Sequence, residues 1–270
     1  MSTDRVHDKE PGLPYHERSS PTAPLGKQVA HHTLRTELTA FIGEFIGTFM
    51  VRSYRLFLSV AFCGTQIAVN AVDEQTLNAS GTPAPNVSKL LYIAFAFSLS
   101  LAVNVAIFAD VSGGKFNPVV TMALLITRKI NWQHAVHTII SQMIAGMAAA
   151  GFVAALFPGP LSIATTLDPS MSIARGLFLE AFVTSMLILT ILMLEGGPAK
   201  PMYIGMALFI AELCSVYFTG GSLNPARSFG PCVVVGFPGY HWIYWLGPAM
   251  GSAVACGAYE LIKFVRVDNL

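Results

Sequence analysis

Charge is scarce in this chain of 270 residues: 11% of them are Asp, Glu, Lys or Arg, against roughly 25% in an ordinary soluble domain. A soluble surface cannot be covered with so little. The chain also lacks a charge surplus of either sign. Sixteen Lys and Arg stand against fifteen Asp and Glu, for a net charge of +1. That excludes an electrostatic nucleic-acid binder, which needs a basic face. Cysteine is short as well: four residues are too few for a disulfide scaffold. What is abundant is apolar side chain, 53% of the chain, which excludes disorder as the general state. The composition is that of a polytopic membrane protein.

Residues 1–37 differ from the rest. They concentrate charge, carry prolines at 11, 14, 21 and 24, and hold no apolar run. They are expected to form a solvated, disordered tail, without the apolar core of a cleaved signal peptide. Six apolar stretches follow, near 38–68, 89–109, 133–157, 173–194, 202–218 and 241–264. Each approaches or exceeds the roughly 20 residues that a spanning helix needs. Pro and Gly punctuate the gaps between them. Residues 265–270 form a short C-terminal tail.

With the N-terminus placed in the cytoplasm, eleven basic residues fall on that side, among them Lys115, Arg128, Lys129, Lys200 and Lys263. Only Lys89 and Arg175 edge the other. This is the positive-inside bias, and it sets both termini in the cytoplasm. The long connection 69–88 is then external. It carries Asn78-Ala-Ser and Asn86-Val-Ser, both of the N-glycosylation acceptor pattern.

Two segments repeat: Ser112-Gly-Gly-Lys-Phe-Asn-Pro-Val119 and Thr219-Gly-Gly-Ser-Leu-Asn-Pro-Ala226. A looser pair surrounds Glu44 and Glu180. The chain therefore reads as two halves, about 38–157 and 173–264, each with three spans and one Gly-Gly-x-x-Asn-Pro loop. An odd number of spans per half inverts one half relative to the other. Asn is a strong N-cap, and Pro is favoured at the first helical position. Each loop should thus dip into the membrane and start a half-helix at Pro118 or Pro225. Irregular backbone at that depth is tolerated only against protein or a wet cavity. The two half-helices would meet end to end, positive N-termini inward, with the Asn117 and Asn224 amides as donors. The expected fold class is all-α and integral to the membrane: six transmembrane helices, two membrane-dipping half-helices, two inverted repeats.

These motifs resemble those of the major intrinsic protein family, the aquaporins and aquaglyceroporins, over residues 38–264. Thr219-Gly-Gly-Ser-Leu-Asn-Pro-Ala-Arg-Ser-Phe-Gly-Pro231 is the most specific stretch, and His241-Trp-Ile-Tyr-Trp-Leu-Gly-Pro248 is similar to a sixth aquaporin span. The style resembles fungal members. The resemblance implies a homotetramer in the lipid bilayer, one pore per subunit, passing water and small neutral solutes without a cofactor, a metal or a catalytic residue. It makes Asn117, Pro118, Val119, Asn224, Pro225 and Ala226 the pore centre. It makes Phe97, Glu212, Gly221 and Arg227 the selectivity filter, and Glu44 and Glu180 the acids that brace the loops. A plasma-membrane location is favoured over an internal one.

The departures matter. Val119 stands where the family has Ala, and its two extra methyl groups should alter packing where the half-helices abut. Glu212 stands where members carry His or Gly. Two readings are open: it pairs with Arg227, or it turns away and braces the outer loop through backbone N–H groups. Gly221 should leave space beside Arg227 and so a wider mouth. Ser228 and Tyr244-Trp245 argue the other way, toward water. Hence the expectation is a passive water channel that excludes protons and ions. A broader facilitator for peroxide, glycerol or urea is the alternative, and a cation-leaky or non-conducting protein the remoter one.

Val51-Arg-Ser-Tyr-Arg55 interrupts the first stretch, either as a true insertion with snorkelling arginines or as a product of mistaken exon boundaries or splicing. Cys63, Cys214, Cys232 and Cys256 read as core thiols. His134 and His137, at the start of a stretch, read as interfacial residues.

Overall fold

The computed structural model describes residues 25–49, 57–70, 86–194 and 196–267. Contacts divide the chain into residues 1–35 and 36–270. In the first unit only the opening turns of a helix are described; the rest of this section concerns the second.

The described residues are helical, with no strand among them. In order they form α1 (Leu25–Phe49), α2 (Phe57–Asn70), α3 (Val87–Ser112), α4 (Pro118–Ile126), α5 (Trp132–Leu156), α6 (Ile173–Met193), α7 (Lys200–Thr219), α8 (Pro225–Val235) and α9 (Ile243–Val267). Helices α3, α5, α6 and α7 are long and apolar enough to cross a membrane. Large apolar side chains such as Phe182, Val254 and Leu99 point outward, 67%, 63% and 52% exposed, as suits a lipid solvent. The buried interior instead holds Glu44, Gln142, Glu180, Glu212 and Arg227. Large apolar side chains facing outward, around an apolar core that encloses a few charged and polar groups, are the pattern of an integral, multi-pass membrane protein.

Two boundaries depart from the sequence expectation. Helix α1 begins at Leu25, so residues 25–37, expected in the disordered tail, are helical. The last proline of the tail is Pro24, and nothing from Leu25 to Phe49 breaks a helix. At the other end α9 runs to Val267, three residues beyond the expected 264. The first expected span, 38–68, is described as parts of two helices, α1 and α2; residues 50–56, with Val51–Arg55, lie outside the described residues, as does Asn78. Asn86 is described. Its side-chain oxygen caps α3 by accepting from Lys89 N at 2.9 Å.

The inverted symmetry shows in the packing. Helix α5 lies against α8 as α4 lies against α9, and α2 against α3 as α6 against α7. The α5–α8 crossing is backbone on backbone. A Cβ on Gly146 would stand 2.5 Å from Ala226 O, and one on Gly230 would overlap Gly146 O. Small residues here let the half-helix α8 press into the bundle.

Candidate functional site

Each half-helix is entered through a tight, left-handed turn. Gly113 and Gly114 (φ 95° and 59°) precede α4, and Gly220 and Gly221 (φ 79° and 59°) precede α8. Phe116 (φ 51°) and Leu223 (φ 48°) are left-handed as well. That conformation costs a bulky residue about 1–2 kcal/mol, so something must hold it. In the first loop Glu44 accepts from Lys115 N (3.0 Å), Phe116 N (3.0 Å), Ser112 Oγ (3.1 Å) and Gln142 Nε2 (2.8 Å). In the second loop Glu180 accepts from Ser222 N (3.0 Å), Leu223 N (2.8 Å) and Thr219 Oγ1 (2.6 Å). Both carboxylates are fully buried. Such acids persist only because the strained backbone supplies their donors.

The two loops then clasp each other. Asn117 Nδ2 donates to Leu223 O at 2.9 Å, and Asn224 Nδ2 donates to Phe116 O at 2.9 Å. Each Asn oxygen caps its own half-helix: Asn117 Oδ1 accepts from Val119 N (3.0 Å), and Asn224 Oδ1 from Ala226 N (3.0 Å) and Arg227 N (3.3 Å). Pro118 and Pro225 occupy the first helical positions. One N–H of each amide is spent on the clasp, which leaves one per amide for a solute. Val119 is buried in a cluster with Val120, Ala123, Ile188, Leu192, Ala255 and Cys256, and its carbonyl accepts from Ser252 Oγ of α9 at 3.1 Å. It therefore packs with residues of α6 and α9. Its counterpart Ala226 meets α5 at Gly146.

Both asparagines line one cavity of about 360 Å³. Toward one end it is lined by Phe97, Glu212 and Arg227; toward the other by Lys115, Lys129 and Lys200. Its walls between are mostly apolar, with Leu101, Val105, Leu187 and Ile204. Arg227 is 2% exposed. Its Nη1 donates to Ile163 O at 2.8 Å and its Nη2 to Gly220 O at 3.1 Å. Its guanidinium lies over the Phe97 ring, 4.9 Å from the centroid, and 5.6 Å from that of Phe62. Those carbonyls and ring faces offset part of the desolvation of a buried cation.

Glu212 follows neither expected course. Among the described residues it makes no ion pair with Arg227 within 4.0 Å, and its buried Oε2 has no hydrogen-bond partner. The carboxylate lies against Gly221, where a Cβ would collide with it. So the space expected to widen the mouth is filled, because a glycine leaves room for the nearest long side chain of α7. Arg227 Nε is likewise buried without a partner. This end of the cavity thus encloses one unspent acceptor and one unspent donor, both buried.

Sequence reasoning missed three participants. Phe62 on α2 packs edge-on to Phe97 at 6.4 Å; it is one of eighteen phenylalanines and carries no motif. The Ile163 carbonyl comes from the 157–172 connector, which folds inward: Asp168 N donates to Phe218 O at 2.9 Å and Leu167 N to Tyr240 Oη at 3.2 Å. On that connector the Ser170 hydroxyl and amide hold the exposed Asp168 carboxyl below the usual range. Lys115, read only as a basic loop residue, is 6% exposed and lines the cavity. It touches His134, which is bonded in turn to Glu37. His134 thus belongs to a half-buried network that sequence position alone did not suggest. Among the described residues no three His, Cys, Asp or Glu converge to hold a metal, and the four cysteines are free.

Two opposed half-helices, clasped N-terminus to N-terminus on one cavity inside a helical bundle, define a class of multi-pass membrane proteins. A family model described as Major intrinsic protein matches residues 31–259, and the chain belongs to that family, a family of channels. Among curated relatives, "Aquaporin-7" of Botryotinia fuckeliana is 47% identical over 245 residues, covering 88% of this chain and 52% of its own length. "Probable aquaporin-3" of Gibberella zeae is 45% identical over 240 residues, covering 86% of this chain and 80% of its own. The chain spans about half the length of several curated relatives it matches. Among solved structures, the X-ray structure of the aquaglyceroporin from Plasmodium falciparum superposes with a TM-score of 0.68 at 20% identity, over 87% of this chain and all of that one. This likeness is one of fold.

Proposed function

We propose that this chain is a passive water channel that refuses protons and ions and catalyses no reaction. The observation that carries it is the reciprocal Asn–carbonyl clasp, which sets Asn117, Asn224 and two helix N-termini on one mostly apolar cavity. Water entering it meets few polar groups, chiefly the spare amide donors and Arg227. The half-helix dipoles and Arg227 raise the potential for any cation at the centre. Hydrogen peroxide, similar to water in size and able to donate and accept, is a second substrate. Glycerol and urea are disfavoured by the carboxylate that fills the place beside Gly221.

In this reading the subunit works as a homotetramer in the plasma membrane, both termini cytoplasmic, with the lysine-lined end of the cavity facing the cytoplasm. The positive-inside bias supports the orientation. The 45–47% identity to proteins named aquaporins supports the substrate.

Stopped-flow shrinkage of vesicles holding the purified chain tests it. Water permeability should exceed that of empty vesicles several-fold, with no rise in proton leak. Equal water permeability would overturn the proposal.

A further inference from the structure

Lys115 reaches the cavity wall from the loop that enters α4, and three contacts hold its ammonium. It donates to Ser112 O at 2.5 Å and to His134 Nε2 at 3.3 Å, and stands 3.7 Å from Glu44 Oε1. The side chain folds back over Gly113, where a Cβ would lie 2.6 Å from Nζ. On its other edge, His134 Nδ1 lies 3.0 Å from Glu37 Oε2. His137 Nδ1, on the same helix, lies 3.7 Å from that oxygen. Glu37 and Glu44 belong to α1, His134 and His137 to α5, and Lys115 to the loop, so the network ties three elements together.

Chemistry fixes the imidazole's protonation. An ammonium has only donors, and a carboxylate only acceptors. His134 can satisfy both neighbours only as the neutral tautomer with the proton on Nδ1 and a lone pair on Nε2. A second proton would go to Nε2. It would remove the acceptor that Lys115 uses and set two cations face to face, while Glu37 stabilises the imidazolium from behind. The ring would keep its carboxylate, and one of the lysine's three contacts would turn repulsive, working against those to Ser112 O and Glu44. Beside Lys115 lies the cavity.

We propose that Lys115 is a positioning residue of the channel: neutral His134 holds its ammonium against the wall, and protonated His134 releases it into the cavity, where it obstructs the solute path and repels cations. The inference rests on the water-channel reading, and its test separates the two. The full chain is reconstituted in vesicles buffered alike on both sides, and osmotic shrinkage is recorded at pH 5.5, 6.5 and 7.5. Each variant is scored by its own ratio between pH 7.5 and 5.5, so differences in the amount inserted cancel.

Wild-type water flux should fall several-fold from pH 7.5 to 5.5, as His134 gains a proton. His134→Gln keeps an acceptor for Lys115 and a donor for Glu37 but takes no charge, so its flux should be level across the range. Lys115→Met should conduct equally at pH 5.5 and 7.5. His137→Gln, which does not touch Lys115, should keep the wild-type profile. A wild-type chain that conducts with a level profile overturns the inference, as does a pH-dependent fall retained in both His134→Gln and Lys115→Met. If one of those two variants is silent at every pH, the other decides. A wild-type chain silent at every pH defeats the water-channel reading itself.

Discussion

The loop before α4 and the loop before α8 are the same device built twice, with different chemistry hung on it. Their backbones agree: left-handed values at Gly113, Gly114 and Phe116 match those at Gly220, Gly221 and Leu223 within 20°. Each rests on one buried glutamate and gives one Asn to the other loop. The side chains differ. Three residues past Asn224 stands Arg227, whereas three past Asn117 stands Val120. Where the second loop has Ser222, the first has the cation Lys115. Beside Gly221 lies a carboxylate; beside Gly114 lies the backbone of Ala109, 3.3 Å from where a Cβ would be. The lesson is that the clasp needs backbone geometry and two acids, while the charged side chains on the cavity sit on positions where the halves need not match.

Replacing Arg227 by Val makes the two halves alike at that place, and it should have the largest effect on function. Glycerol and proton permeability should both rise several-fold in vesicle assays, with water flux retained. Next come the acids. Glu44→Gln removes a charge beside the buried Lys115 ammonium and should destabilise by about 3 kcal/mol. Glu180→Gln, with no ammonium in contact, should lose about 1–2 kcal/mol. Adding Lys115→Met should bring the first close to the second. Thermal unfolding in detergent reads all of these.

The glycines give a smaller contrast. Ala at 114 or at 221 meets the same left-handed strain, about 1–2 kcal/mol. Only Gly221→Ala also strikes the Glu212 carboxylate, so it should be the less stable and should regain parity when combined with Glu212→Ala. The smallest difference should lie between the caps. Asn224 Oδ1 takes two backbone donors and Asn117 Oδ1 one. Truncation to Ala should cost about 1 kcal/mol at either, and a few tenths more at Asn224.

How far the sequence could be read depended on the range of the interactions. Pro118 and Pro225 begin half-helices because Asn-Pro is a local start signal, and the six-span, two-repeat plan followed from apolar length and an odd span count. The start of α1 at Leu25 was missed because polarity was taken for disorder, although no residue there breaks a helix. Glu212 could be placed near Arg227 by counting, but its course against Gly221 is a matter of which void lies nearest. Phe62, the Ile163 carbonyl and the Lys115–His134–Glu37 contacts join residues 19 to 165 positions apart, and no spacing rule reaches that far.

By itself, then, the sequence determined what this chain dissolves in, how many times it crosses and where its two short helices begin. These follow from hydropathy, backbone propensity and capping, which act over a few residues. Only the tertiary structure decided that the two asparagines serve each other's loop, that Glu212 occupies a glycine's vacancy, and that a lysine at the cavity wall rests on a histidine. Those outcomes depend on which distant groups are brought within 3–4 Å, and that is settled by packing.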